Sequence, residues 1–391
     1  MAAAGGLARH GAVARFDAED PPLRSELFSA EQMERHGGVL AATHRLAPAG
    51  AARHALLARL AANESLLLEV CDLLTATATD GRRVMPAGEW LLDNFHLVEE
   101  QIRTAKRHLP KGYSRELPRL ANGAHAGLPR AYVLASEAIS HGDGRVDAES
   151  LARFVAAYQE VAPLTLGELW AIPIMLRLAL IENLRRVGAR IAAGMLDRNR
   201  ASTWAEAMVD AAQTDPKSLV LVVADMARSD PSVAGPFVAE LARRLRGQGT
   251  ALALPLTWME QRLAEAGSSI EQLVQSESQE QASDQVSVGN TIGSLRFLGA
   301  MDWREFVETM SFVDRELRHD PAYGAMDFAS RDRYRHAVEA IARRGTLAER
   351  DVARKAVELA RERARTHGAD DRAAHAGFYL VDRGRARAAA R

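Results

Sequence analysis

Residues Glu160–Val187, EVAPLTLGELWAIPIMLRLALIENLRRV, decide how the rest of the chain is read. The window is apolar on several sides at helical period, which marks a helix buried almost all round at the centre of a domain. Glu168, Pro173, Arg177 and Glu182 interrupt it well short of the roughly 20 clean apolar residues that a bilayer crossing needs. No part of the chain is therefore expected to cross a membrane. Charged groups on so apolar a helix need partners, because an unpaired buried charge is costly. Arg177, Glu182, Asn183 and Arg185 are expected to join an internal ion-pair network, with a sugar- or phosphate-binding pocket as the alternative.

Working outward from that helix, the composition points the same way. Of 391 residues 47% are hydrophobic, enough for a substantial core, while aromatics make up 5% and Ala, Leu, Arg and Glu dominate, a mixture that favours helix over sheet. Helix starts are legible as Ser, Thr or Asp followed three residues later by Glu, a pattern in which both side chains satisfy free amide donors. Thr165 with Glu168, Thr203 with Glu206, Ser268 with Glu271, Asp302 with Glu305 and Thr346 with Glu349 read this way. Asp215-Pro216 and Asp230-Pro231 read as two further starts, with a short helix between them. The expected fold is all-α, an irregular multi-helix array without an alignable repeat.

The chain divides on these signals into five parts. Residues 1–22 form a disordered lead, Ala/Gly-rich and without an apolar stretch long enough for a signal-peptide core. Residues 23–80 form an antiparallel helical pair, 81–275 the main helical domain, 276–385 a C-terminal helical subdomain and 386–391 a basic tail. The Ser/Gln-rich stretch around the 275/276 boundary reads as a polar helix or a connector. Cys71, the single cysteine, cannot form an internal disulfide and reads as a packed residue on an apolar helix face.

Fifty basic against 51 acidic residues give no global electrostatic case for nucleic acid as a partner. The local exception is Arg331–Arg391, with 16 Lys/Arg against nine Asp/Glu. It reads either as a solvated helix face or as a segment near anionic lipid on the cytoplasmic side of a membrane.

Three polar constellations stand out. Helical spacing brings Glu89, Asp93, His96 and Glu100 near one face, beside Trp90. The simple reading is a polar interface. The sharper one is metal ligation with a second carboxylate–histidine pair, Glu316 and His319, since carboxylates three residues before histidines recur in di-metal bundles. In AMDFASRDRYRHAVEAIARR, Asp327, Arg331, Asp332, Arg333, Tyr334 and Arg335 crowd one turn and helix start, which suits interhelical salt bridges or an anion site. Asp302 and Trp303 belong with these interface residues, and Trp170 joins Trp90 and Arg177 as a possible glucan-contacting set. No phosphate-binding loop, nucleophile elbow, HExxH or paired CxxC occurs. No Asp-x-Asp or Gln-x-x-Arg-Trp motif of nucleotide-sugar transferases occurs either, so no cofactor and no catalytic residue is expected in this chain.

Five blocks together resemble the N-terminal region of bacterial cyclic β-1,2-glucan synthases: LRSELFSAEQMERH (23–36), PAGEWLLDNFHLVEEQIR (86–103), FVAAYQEVAPLTLGELWAIPIMLRLALIENLRR (154–186), the run SLRFLGAMDWREF to YRHAVEAIAR (294–343) and HAGFYLVDRGR (375–385). The resemblance covers roughly residues 22 to 385. It implies a large inner-membrane enzyme that uses UDP-glucose to build, trim and cyclise glucan, whose membrane spans and glycosyltransferase domain follow this region. On that resemblance the chain is a cytoplasmic scaffold or docking segment whose partner is the remainder of the synthase. The alternatives of another class are a helical-bundle metalloprotein and a glucan- or lipid-binding module.

Overall fold

The buried helix anticipated around Glu160–Val187 begins at Leu166. There the Thr165 hydroxyl accepts a hydrogen bond from the Glu168 amide while the Glu168 carboxylate accepts one from the Thr165 amide. That reciprocal cap satisfies two orphan donors of the first turn. In the computed structural model, which describes residue 16 and residues 20–47, 55–109, 116–231 and 233–389, the helix continues to Thr214. Its 49 residues span about 73 Å at 1.5 Å each.

Eighteen α-helices and no strand occur among the described residues, so the all-α expectation holds. In chain order they are α1 (Ala30–Thr43), α2 (Ala55–Thr79), α3 (Pro86–Asp93), α4 (Phe95–His108), α5 (Arg130–His141), α6 (Ala148–Val161) and the long α7 (Leu166–Thr214). There follow α8 (Leu219–Arg228), α9 (Gly235–Leu245), α10 (Ala253–Glu265) and α11 (Ile270–Ala300). The last group is α12 (Trp303–Met310), α13 (Phe312–Leu317), α14 (Pro321–Gly324), α15 (Phe328–Ala342), α16 (Glu349–His367), α17 (Ala376–Val381) and α18 (Arg385–Ala389).

Three apolar cores organise these helices. The first surrounds α7 from Leu166 to Met195 with α1 to α6, the C-terminal half of α11 and α12. The second gathers Ala201, Ala205 and Met208 of α7 with α8, α9, α10 and Ile270 of α11. The third joins α13 to α18, with Leu317, Tyr323, Val338 and Val352 fully enclosed. Both α7 and α11 pass through the first and second cores, which makes them the struts that link those cores. α11 runs unbroken across the 275/276 position, so the polar stretch there is helix rather than connector. Its Ser287 and Ser294 hydroxyls donate to Asp143 and the Gly144 carbonyl at 2.6 and 2.8 Å, which is how so polar a helix is buried. Gly144 has φ +80°, and a Cβ there would meet the Thr291 Oγ1 at 2.4 Å, so the turn after α5 needs glycine twice over.

Several local expectations are corrected. Thr203 lies in mid-α7 and starts no helix, because the apolar period continues past it. The α11 cap is Ser269 with the Gln272 amide, one residue beyond the Ser268–Glu271 pair. α16 starts after Ala348 with no side-chain cap, leaving Thr346 outside. Asp302 caps α12 through the Arg304 amide, without a reciprocal bond from Glu305. Asp215 ends α7 instead of opening α8, and Asp230 takes φ +42° in the turn before α9. Helices α1 and α2 are not chiefly each other's partners: α1 packs on α6 and α2 on α7. Most of the expected lead, like residues 390–391 of the tail, lies outside the described residues. Of its described part, Phe16 is in the first core and Asp20 is paired with Arg185.

Candidate functional site

α7 carries the first polar hub. Glu182, with 1% of its side chain exposed, accepts two hydrogen bonds from Arg59 of α2 at 2.8 Å each and one from Asn63 at 2.8 Å. Arg185 and Arg186 add contacts at 3.1 and 2.9 Å. Burial alone would raise this carboxyl, but the Arg59 and Asn63 donors outweigh burial and hold it well below the ordinary carboxylate range. Arg185 continues the network to Asp20, and Asn183 uses both ends of its amide, accepting from the Leu23 amide and donating to Thr291. Arg177 differs from expectation. Among the described residues it meets no carboxylate; it donates to the Gln101 side chain and to the carbonyls of Pro173 and Leu298, and burial lowers its pKa.

A second hub lies in the third core. Arg335 is fully enclosed and donates to Glu308 at 2.8 Å, Asp314 at 2.9 Å and Asp332 at 3.1 Å. Tyr323 donates to Asp314 at 2.6 Å, and Arg331 forms a two-pronged pair with Glu308. Four short helices, α12 to α15, thus converge on one cluster of opposite charges. Asp327 caps α15, Tyr334 meets His375 at 3.1 Å and Arg333 is exposed. The arginine crowding read from the sequence therefore resolves into interhelical salt bridges.

The stripe on α3 and α4 is arranged differently. Asn94, with φ −108° and ψ 9°, breaks the expected single helix, its amide donating to the Trp90 carbonyl while Arg296 donates to its oxygen. Glu89, Asp93, His96 and Glu100 nonetheless all stay exposed beside the exposed Trp90, and no ion pair to them is seen among the described residues. Glu316 is held by Arg350 and Arg354, and its neighbour His319 is exposed. Asp93, His96, Glu316 and His319 do not gather into a ligand set.

Trp303 donates its indole N–H to the Leu298 carbonyl at 3.0 Å. Trp170 stands edge-on to Phe328 and lines a cavity of about 370 Å³ with Thr165, His336 and Glu349. Glu349 accepts from the Leu166 amide, and burial pushes its carboxyl up to about 7. Burial likewise pushes the Cys71 thiol up to about 12, which fits a packed and unreactive residue. The basic C-terminal run is largely engaged, with Arg343 on Glu116 and Glu339, Arg363 on Asp371 and Arg372 on Asp382.

Sequence reasoning missed the buried Arg130–Glu168 pair and a cluster of His36, Glu137 and His141 whose ligand atoms lie within 4.8 Å of one another. Glu137 and His141 are four residues apart on α5, a signal that could have been read. His36, about a hundred positions away, gives no local sign of joining them.

These observations define an all-helical assembly whose buried charged side chains bind its own helices together, leaving the α3–α4 stripe facing outward. No helix among the described residues is long and apolar enough to cross a membrane. No family model matches the chain. Over 340 residues, 87% of its length, it is 33% identical to Cyclic beta-(1,2)-glucan synthase NdvB of Rhizobium meliloti (strain 1021). The match takes in 12% of that protein, so the chain corresponds to part of the synthase.

Proposed function

We propose that this chain is a non-catalytic scaffold and docking segment of a membrane-bound, UDP-glucose-dependent cyclic β-1,2-glucan synthase, working at the cytoplasmic face of the inner membrane. The observation that carries the reading is the match of 87% of the chain to 12% of a glucan synthase. The geometry supports it. Glu182 and Arg335 are engaged by neighbouring helices, and Arg185 by Glu182 on its own helix and by Asp20 of the N-terminal segment, so they act as braces that hold a fixed outline. The exposed Trp90 shares its helix with the exposed Glu89 and Asp93, and the exposed Glu100 follows on the next helix, an exposed aromatic among acidic residues that suits a partner surface carrying Arg or Lys.

The test is reconstitution. A cyclic β-1,2-glucan synthase lacking the matching region is assayed for glucan formation from UDP-glucose, alone and with this chain supplied in trans. Restored synthesis, with no glucosyl transfer by the chain alone, supports the proposal. Transfer by the chain alone refutes the non-catalytic half, and no restoration refutes the docking half.

A further inference from the structure

We propose that His36, Glu137 and His141 form a binding site for one divalent transition-metal ion that ties α1 and the segment before it to α5. His36 Nε2 lies 2.9 Å and His141 Nε2 3.5 Å from the same Glu137 oxygen, Oε2. A tetrahedral ion with its ligands at about 2.0–2.2 Å sets neighbouring ligand atoms roughly 3.2–3.6 Å apart. The three atoms, all within 4.8 Å of one another, therefore need only small side-chain adjustments to share an ion. Two imidazoles and one carboxylate are a donor set that suits zinc, cobalt or iron and leaves a coordination position for water.

The surroundings fit ligation as well. His141 Nδ1 lies 2.7 Å from the Glu26 carbonyl, which fixes that nitrogen as the N–H donor and leaves the Nε2 lone pair facing the cluster. Phe28 stacks on the His141 ring at 3.9 Å and meets His36 edge-on at 5.4 Å, while Phe154 lies parallel to His36 at 6.4 Å, so apolar rings restrict both imidazoles. Gly37 fixes the approach of α1, since a Cβ there would meet the Phe154 carbonyl at 2.6 Å. The ligand side chains keep 22%, 21% and 12% of their surface exposed, enough for an ion to enter. His141 also borders a cavity of about 510 Å³ lined by Phe28, Met33 and Phe154.

The test titrates the full chain, stripped with a chelator, with Zn²⁺ against a chromophoric zinc indicator, and separately with Co²⁺ followed by visible absorption. One equivalent should bind, and His36→Ala and His141→Ala should each weaken binding at least tenfold. His96→Ala and His319→Ala, which remove histidines away from the cluster, should leave it unchanged. His36→Gln, milder for packing, guards against misfolding and should also lose the tight equivalent at wild-type helicity. Failure to bind one equivalent at micromolar Zn²⁺, or binding indifferent to His36 and His141, overturns the proposal.

Discussion

Replacing Glu182 by Gln keeps the shape of the side chain and removes the charge on which Arg59, Arg185 and Arg186 converge. The carboxylate is nearly inaccessible, and the three guanidinium side chains retain 37%, 14% and 12% of their surface. A neutral amide can still accept from Asn63 or from one arm of Arg59, but not from every donor present. Breaking a buried pair by removing one partner costs about 3–5 kcal/mol. Partial solvation of Arg59 relieves some of the strain on that side, so roughly 3 kcal/mol is expected, a large share of a typical domain's stability. Urea unfolding at pH 7, followed by circular dichroism at 222 nm, measures the difference. The native carboxyl is held below its ordinary value of 4.5, so its contribution is fully present above that pH. It is lost as pH falls toward the depressed native value, and Glu182→Gln should flatten this acid-side loss. A variant within about 0.5 kcal/mol of wild type at pH 7, a typical surface-substitution effect, would show that the hub does not brace α2 against α7.

Arg335→Met should destabilise the third core by about 3 kcal/mol, because it removes the enclosed cation and leaves Glu308 and Asp314 with Arg331, Arg318 and the Tyr323 hydroxyl; urea unfolding of the variant checks this, and an unchanged midpoint contradicts it. Glu349 titrates near 7 when folded against 4.5 in the ordinary state, so the native chain binds the extra proton and stability should fall as pH rises between those values. Because Glu349 is only partly enclosed, Glu349→Gln should gain about 1–2 kcal/mol at pH 8 and nothing at pH 4, read from thermal midpoints at the two pH values. Gly37→Ala should cost about 1–3 kcal/mol by forcing α1 away from α6, measured by chemical denaturation.

What the sequence disclosed was the part written in local patterns. The apolar period around Leu166–Val187 and the Thr165–Glu168 cap are contained within a few turns, so the central helix and its start could be read directly. The Thr203–Glu206 pair carries the same letters, yet packing of Ala201, Ala205 and Met208 into the second core carries the helix straight through them. Glu182 was legible as a group needing partners, but not Arg59, 123 positions away, as the one that supplies them. Arg177 shows the limit from the other side, since backbone carbonyls that no pattern announces satisfy it. At the break, Asn94 accepts from Arg296 on a helix distant in sequence, a contact that the reading of a single stripe could not supply.

Docking of this chain onto the rest of a glucan synthase is the proposed function. It is tested most directly by size-exclusion co-elution of the purified full chain with a detergent-solubilised synthase lacking the matching region. A stoichiometric complex is expected, which Trp90→Ala with Glu89→Lys weakens at unchanged helicity. Separate elution of the two components at micromolar concentration would contradict it.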